Sequence, residues 1–299
     1  MARKPIRILV DLLNQNWPVR KAKAFRNAAV ECSFRARGVA EGLGFAEELR
    51  RTGSQRFCFS IAFNTPWVID ALTRAWPLHC PGMTLVIIDN SSRKSARPII
   101  EGICRARGIA YFALPGNWEM NPNRSHGIAM NWVAHNIVSH LRPEIFGFLD
   151  HDCFPTSVVD IAKLMEGKAV YGARRIAKRG LEGWFLWAGF CFFRFSAMDG
   201  VDMDFTPRFE SGMDTGGGNW AVLYRGLDPE NVVYAETMAI TVALGGTEAI
   251  HGMPGGVFFH VGGASYRRLI STAHYRRLMS DYVWETWLGG PEGRLVNDL

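Results

Sequence analysis

Two aspartates one residue apart follow an apolar run in the segment 146–154, which reads FGFLDHDCF. Side chains alternate between faces in an extended backbone, so Asp150 and Asp152 would point the same way from the end of a buried strand. Two carboxylates held that close repel each other unless a positive charge lies between them. A divalent cation carrying phosphate oxygens would supply that charge. The alternative is a turn in which both acids are solvated.

Strands and helices must position these acids. Apolar runs at 57–63, 85–88, 109–114 and 145–149 alternate with helical patterns at 67–76, 96–107 and 125–141. Fully apolar strands that alternate with helices predict an α/β fold with a mainly parallel, doubly wound sheet. Ligands of such sheets bind beyond the carboxyl ends of the strands. Polar loops follow all four runs, at 64–66, 89–92, 115–117 and 150–152.

Length and composition favour a globular enzyme, because 299 residues with 48% hydrophobic content can bury a large core. The six cysteines form no C-x-x-C pair, and several lie in apolar runs as buried thiols. This pattern favours a reducing, cytoplasmic setting. The apolar segment 184–195 is too short to span a bilayer, and the amino terminus lacks a signal-peptide core. We therefore expect a cytoplasmic protein that could be peripheral to the inner face of a membrane.

The positive charge is concentrated at the amino terminus. Residues 1–56 carry 12 of the 34 Lys and Arg side chains but 5 of the 28 Asp and Glu side chains. The segment 1–55 is predicted to be a mainly helical arm whose apolar side includes Ile6, Leu9, Leu12 and Leu13. The arm would either pack on the main domain and leave its basic face in solvent, or lie on an anionic membrane. Nucleic acid is not expected, because no known basic and aromatic binding pattern accompanies the charge.

Three motifs in order carry a family resemblance: VIIDNSS at 86–92, NRSHGIAMN at 123–131 and FLDHD at 148–152. Over residues 56–265 the chain resembles a GT-A glycosyltransferase of the family 2 type. The resemblance implies a nucleotide-sugar half at 56–155, an acceptor half at 156–265 and, beyond them, a helical extension at 266–299. It implies that Asp89 holds the uracil or ribose of the donor, and that Asp150 and Asp152 form the D-x-D pair, with Asp152 the more direct metal ligand. The other donor-binding candidates are Asn131, in the second of these motifs, and Asn64, in the polar loop after the first apolar run.

The second half of the chain supplies further candidates. His260, in VFFHVGG, resembles the late histidine that completes the metal site in such enzymes, although a lone histidine at a strand end is usually structural. Trp184 and Trp187 precede Ala188 and Gly189 and would offer a stacking platform for a sugar ring, or else belong to a core strand. Two other histidines are expected outside the metal site: His126 at the surface, and His151 facing packing or solvent.

The candidate base lies in the segment 209–217, FESGMDTGG. This segment occupies the place where the family carries an acidic pair at the start of a helix. Asp214 fits that place and Glu210 is held in reserve. The alternative for Asp214 is the N-cap of the helix that follows.

The resemblance implies a metal-dependent transfer of a sugar from a nucleoside diphosphate sugar, most simply a UDP-sugar, to a saccharide or lipid-linked acceptor. Mn²⁺ or Mg²⁺ held by the acids and His260 would neutralise the departing diphosphate. Asp214 would take the acceptor proton, and inversion would result. A nucleotidyltransferase is one rival, but the loop at 64–67, NTPW, is not the Gly-rich basic loop expected after its first strand. A non-catalytic carbohydrate-binding or scaffold protein with a transferase-like fold is the other.

Overall fold

The computed structural model of the protein describes residues 17–178, 180–265, 267 and 272–289. Its strands are β1 (Arg56–Ala62), β2 (Thr84–Asp89), β3 (Ala110–Ala113), β4 (Ile145–Asp150), β5 (Cys153–Pro155), β6 (Val170–Ile176), β7 (Trp184–Arg194), β8 (Val232–Tyr234), β9 (Thr237–Leu244), β10 (Thr247–Pro254) and β11 (Phe258–His260). Its α-helices are α1 (Trp17–Arg35), α2 (Val39–Arg51), α3 (Pro66–His79), α4 (Ala96–Ala106), α5 (Pro122–Val133), α6 (Ser139–Leu141), α7 (Ile161–Leu164), α8 (Phe195–Met198), α9 (Asn219–Val222) and α10 (Ala273–Val283). The remaining helical turns are π turns at Ala134–Val138 and Trp284–Leu288 and 3-10 turns at Phe209–Ser211, Tyr224–Gly226 and Pro229–Asn231.

Seven strands form the main sheet in the order β3-β2-β1-β4-β7-β6-β8. β1 pairs in parallel with β2 and β4, β2 with β3, and β6 with β8. Within this sheet, β7 runs antiparallel to both of its neighbours, β4 and β6. The predicted α/β class with a mainly parallel sheet is therefore confirmed.

Helices cover both faces of this sheet because the side chains of each strand alternate. On β1, Cys58 packs into the core that includes Leu72 of α3 and Ile100 of α4. The next residue, Phe59, packs into the opposite core, which includes Trp132 of α5. Strand residues buried on both faces explain why these runs are apolar throughout instead of alternating with polar residues.

The predicted elements of the first half are present with small shifts. Each of the four predicted strands agrees with the structure to within one residue at either end. The helix predicted at 125–141 begins earlier, at Pro122, and ends as a regular α-helix at Val133, where the π turn Ala134–Val138 takes over. Asn121 caps α5, because its side chain accepts a hydrogen bond from the backbone N–H of Arg124.

A second sheet, which the sequence did not predict, has the order β5-β11-β10-β9 and is antiparallel throughout. Its strand β11 pairs with β5 so that His260 lies opposite Cys153. Because β5 follows β4 after a two-residue turn, this pairing carries the end of β11 to the carboxyl end of β4.

The described part of the amino-terminal arm is helical, as predicted, and docks on α5. Asn131 donates to the Glu31 carboxylate, Trp132 donates to the Arg37 carbonyl, and Asn136 donates to the Arg35 carbonyl. The predicted apolar positions Ile6, Leu9, Leu12 and Leu13 lie outside the described residues. Residues 272–289 of the predicted carboxyl-terminal extension are also largely helical. Among all described residues, no helix is both long enough and apolar enough to cross a membrane.

Candidate active site

Three potential metal ligands converge where β4 ends. Asp150 is the last residue of β4, Asp152 lies in the turn to β5, and His260 ends β11. The Nε2 atom of His260 is 3.3 Å from Oδ1 of Asp152 and 3.6 Å from Oδ2 of Asp150. Asp150 lies in the extended backbone assumed from the sequence, but Asp152 lies in a turn, and His260 is close to both carboxylates.

The surroundings shift the pKa values of Asp150 and Asp152 in opposite directions. Burial raises the pKa of Asp150 to about 6, and the negative charge of Asp152 adds to this effect. Burial also opposes ionisation of Asp152, but the nearby His260 and a hydrogen bond from it lower the pKa of Asp152 well below its usual range. Burial likewise works against a charged His260, and the two acids nevertheless raise its pKa. The positive charge that both carboxylates attract is therefore that of His260.

This donor set fits a divalent cation. One ligand atom from each of Asp150, Asp152 and His260 can be chosen so that all three lie within 4.8 Å of one another. Carboxylate oxygens are the preferred ligands of Mg²⁺ and Mn²⁺, and an imidazole nitrogen can complete such a site. A bound cation would replace the imidazolium proton as the positive partner of both acids.

Neighbouring groups hold Asp152 and His260 in place. The backbone N–H of Ala264 donates to Oδ2 of Asp152 at 3.0 Å, and the N–H of Val261 donates to the Asp152 carbonyl at 2.9 Å. The ring of Trp187, on β7, lies 4.6 Å from the ring of His260. These contacts fix the orientation of Asp152 and of the imidazole before any ligand binds, which is the usual task of groups behind a metal ligand.

The three ligands face a cleft of about 890 Å³, which is within the range of small-molecule sites. Its walls come from the loops after β1, β2 and β3, from the first turn of α5, and from the ends of β4, β7 and β11. The lining includes Phe63, Asn90, Ser91, Ser92, Lys94, Arg97, Asn117, Trp118, Glu119, Met120, Asn123, Ser125, His126, His151 and Trp187. Polar loops that follow neighbouring strands therefore line one cleft at the edge of the sheet.

Asn64 and Asp89 stand behind this wall. Asp89 is buried, and its carboxylate accepts hydrogen bonds from the Ser91 N–H at 2.7 Å and the Tyr111 hydroxyl at 2.8 Å. Asn64 accepts from the Arg93 N–H at 2.8 Å and donates to the Ser92 hydroxyl at 2.9 Å. Both side chains thus shape the loop after β2, and the donor contacts expected from the resemblance remain predictions for these two residues.

Asn131 is engaged elsewhere. Its side chain is buried, donates to Glu31 of α1, and accepts from the Phe205 N–H at 2.7 Å. It therefore ties α5 to α1 and to the loop before the 3-10 turn at 209–211, and it does not line the cleft. These contacts engage both ends of the Asn131 amide, and the donor contact expected for this residue remains a prediction.

His126 belongs to the site, and its expected place at the surface was wrong. Its Nδ1 atom is 3.7 Å from Oδ1 of Asp150, whereas His260 is near Oδ2 of the same carboxylate. Burial lowers the pKa of His126 to about 4, against the opposing effects of Asp152 and Asp214, so the imidazole is neutral at pH 7. His126 lies in the first turns of α5, and α5 begins at the edge of the sheet where ligands bind. This position was the sequence signal for a site residue, and it was missed.

Asp214 lies at the border of the cleft. Its exposed carboxylate accepts a hydrogen bond from the side chain of Asn123, a cleft residue, at 2.7 Å. The N-cap alternative is wrong, because a turn covers 215–218 and α9 begins only at Asn219. Glu210 is exposed in the 3-10 turn Phe209–Ser211 and does not line the cleft.

The two candidate platform residues have separate surroundings. Trp187 lines the cleft beside His260. Trp184 instead stacks on Tyr224 with ring centroids 4.8 Å apart, and the Arg174 guanidinium lies over its ring. The structure therefore brings only Trp187 of this pair to the ligand edge, while Trp184 has the core-strand role that was the alternative.

Comparison with known proteins gives structural likenesses only. Neither a protein-family model nor a curated protein matches the sequence. Among solved structures, S. aureus TarS matches at 15% identity and TM-score 0.35, covering 50% of this chain and 30% of that one. The mannosyltransferase PcManGT from Pyrobaculum calidifontis, in complex with GDP-Man and Mn²⁺, matches at 9% identity and TM-score 0.40, covering 70% and 66%. The WbbM bifunctional glycosyltransferase matches at 9% identity and TM-score 0.39, covering 60% and 38%.

The chain thus spans less than two thirds of the length of these three structures.

Proposed function

We propose that this protein is a metal-dependent glycosyltransferase that moves a sugar from a nucleoside diphosphate sugar, most simply a UDP-sugar, to an acceptor hydroxyl. The observation that carries the proposal is the Asp150, Asp152 and His260 triad at the carboxyl end of β4, facing a cleft walled by the loops of three neighbouring parallel strands. This is the edge of an α/β sheet at which nucleotides bind.

The ligand residues would serve the leaving group. Asp152, His260 and Asp150 would hold Mn²⁺ or Mg²⁺, which when bound neutralises the charge of the diphosphate. The Ala264 N–H keeps Asp152 oriented toward His260. His126, being neutral, offers an imidazole near Asp150 without adding a positive charge that would compete with a cation.

The sugar and the acceptor would meet between Trp187 and Asp214. Trp187 presents an aromatic ring beside His260, and aromatic faces suit the apolar face of a pyranose. Asp214 would accept the proton of the attacking hydroxyl, with Asn123 orienting its carboxylate through the 2.7 Å hydrogen bond. A single displacement assisted by one base inverts the anomeric carbon, and we propose that stereochemical outcome.

We also propose that the acceptor is lipid-linked or otherwise met at an anionic surface. Helix α1 carries five basic residues, Arg20, Lys21, Lys23, Arg26 and Arg35, against the single acidic Glu31. Trp17 and Phe25 of the same helix are 63% and 78% exposed. Exposed aromatic rings on a basic helix are typical of segments that lie in the headgroup region of an anionic bilayer.

A melting-temperature screen followed by turnover tests the function. UDP, GDP and their sugars are added with Mn²⁺ or with EDTA, because a ligand that binds only the native state raises the melting temperature. A nucleotide sugar that stabilises the protein with Mn²⁺ is then incubated with it, and release of the nucleoside diphosphate is measured. The proposal expects Mn²⁺-dependent stabilisation and slow hydrolysis even without acceptor.

The alternatives give different results. A nucleotidyltransferase would be stabilised by nucleoside triphosphates and would release pyrophosphate in the presence of a sugar phosphate. A non-catalytic binding protein would be stabilised by nucleotide sugars or saccharides but would release no nucleoside diphosphate under any condition. Either result would replace the transferase proposal.

A further inference from the structure

Trp118 is a large aromatic side chain displayed in the cleft. The residue is 70% exposed and lines the cleft in the loop between β3 and α5. The Arg37 guanidinium, from the turn between α1 and α2, lies 4.7 Å from the centre of its ring. A cation held over a tryptophan ring is attracted to the ring face, so this contact supports the indole while most of the residue stays open.

The loop that carries Trp118 is firmly held on both sides of it. Glu119 is buried, and its carboxylate contacts Arg26 of α1 at 2.8 Å and Arg124 of α5 at 3.4 Å. The same carboxylate accepts from the Asn121 N–H at 3.0 Å, and the Glu119 N–H donates to the Asn117 side chain at 3.0 Å. An aromatic side chain on a fixed loop loses little conformational entropy on binding a ligand.

The place of this loop in the sheet indicates which part of a donor it meets. The metal-ligand triad lies at the end of β4, and β3 is the third strand from β4 on the side of β1 and β2. With strands about 4.8 Å apart, the two strand ends are separated by about 14 Å. Trp187, beside His260, stands on the opposite side of β4, on β7. A donor whose diphosphate lies at the triad and whose sugar lies toward Trp187 would extend its nucleoside toward Trp118.

We propose that Trp118 is the platform on which the nucleobase of the donor stacks, with Arg37 supporting the ring. This inference rests on the proposed function, because it assumes a nucleotide donor. Stacking on an indole is tolerant of the base, since every base has a π face. Trp118 therefore supplies affinity for the nucleoside, and any choice between uracil and guanine must come from other groups.

Calorimetry with two probes tests the inference. UDP and GDP are titrated with Mn²⁺ into the wild-type protein, Trp118→Ala and Trp118→Phe, and Ile250→Ala serves as the control. Ile250 is an apolar residue of β10 that is 68% exposed and does not line the cleft. Stacking predicts that Trp118→Ala weakens nucleotide binding roughly 5- to 150-fold, on the scale of one base–aromatic stack. Trp118→Phe should recover most of this loss, and Ile250→Ala should change the affinity by less than about twofold.

Inorganic pyrophosphate with Mn²⁺ is the second probe, because it has no base to stack. Its affinity should be the same for the wild type and Trp118→Ala. Unchanged UDP and GDP affinity in Trp118→Ala overturns the inference, and so does an equal loss for pyrophosphate, which would mean a distorted metal site. A wild-type protein that binds neither nucleotide with Mn²⁺ overturns the proposed function itself, and the stacking role with it.

Discussion

Gly189 of β7 lies directly against the carboxylate of Asp150 at the end of β4. A Cβ atom built at Gly189 would overlap the Asp150 carboxylate and the ring of Trp187. The missing side chain is therefore what leaves room for an acid and an aromatic ring on adjacent antiparallel strands. A close approach of this kind is a common reason for glycine within a strand.

The first prediction is that Gly189→Ala weakens Mn²⁺-dependent UDP binding by at least about tenfold while the protein still folds. The added methyl group must displace Asp150 or Trp187, and overpacking of this kind typically costs about 1–3 kcal/mol of stability. Calorimetry and thermal melting measure the two effects. Gly102→Ala is the matched control, because a Cβ there meets no atom within 4 Å. That variant should bind normally and be more stable by about 0.5–1 kcal/mol, since Gly102 lies inside α4.

The second prediction concerns Asp214, which is either a base or an exposed hydrogen-bond acceptor. An asparagine can still accept hydrogen bonds from Asn123 and from the Thr215 N–H, so Asp214→Asn should melt and bind UDP like the wild type. It cannot take a proton near neutral pH, so transfer should fall by about two to four orders of magnitude. Glu210→Gln is the control and should leave transfer nearly unchanged. Normal transfer by Asp214→Asn would remove the assignment of Asp214 as the base.

The third prediction is a pH-dependent contribution of Glu119 to stability. Burial opposes its charge, but the Asn121 N–H, Arg26 and Arg124 together lower the pKa of Glu119 below its ordinary value. A carboxyl group with a lowered folded-state pKa stabilises the fold above its unfolded pKa, and this contribution is lost as the pH falls through the folded value.

Glu119→Gln should therefore lower the free energy of unfolding at pH 7 by about 1.5–3 kcal/mol, the scale for hydrogen bonds to a charged group. The difference from the wild type should shrink as the pH is lowered below about 4.5. Urea unfolding at both pH values measures it. A difference that is the same at pH 7 and at low pH would mean that the carboxylate charge of Glu119 contributes nothing to stability.

The fourth prediction tests the contact of α1 with membranes. Vesicles containing phosphatidylserine should sediment the protein, and binding should weaken with added salt because the attraction is screened. The double variant Trp17→Ala with Phe25→Ala should bind less. Ile250→Ala, which removes an exposed apolar side chain from β10, should bind like the wild type. Equal binding by the double variant and the wild type would contradict a membrane role for α1.

The cluster of Asp150, Asp152 and His260 could be predicted in part from the sequence, because each residue lies at or next to a strand end. Asp150 and Asp152 follow a run that is apolar throughout, and His260 ends another apolar run. What the sequence did not predict was the pairing of β11 with β5, which brings His260 to the acids. That pairing joins residues about a hundred positions apart, so no local pattern contains it.

The surroundings of other residues could not be predicted, because the residues that contact them are distant in sequence. His126 was expected at the surface because α5 has polar positions, but Asp150 packs beside it. Asn131 was expected to contact the donor, and its hydrogen bond to the partly buried Glu31 depends on how α1 docks. No role was predicted for Trp118, because a tryptophan in a short loop indicates a binding site only when the loop is known to line a cleft.

The central claim is that Asp150, Asp152 and His260 hold a cation that binds the diphosphate of a donor. Calorimetry of UDP against the wild-type protein and Asp152→Ala, each with Mn²⁺ and with EDTA, tests it most directly. We predict binding by the wild type with Mn²⁺, and a large loss of affinity on adding EDTA or on removing Asp152, because the phosphates would then face uncompensated carboxylates. Equal UDP affinity of the wild type with Mn²⁺ and with EDTA would contradict the account.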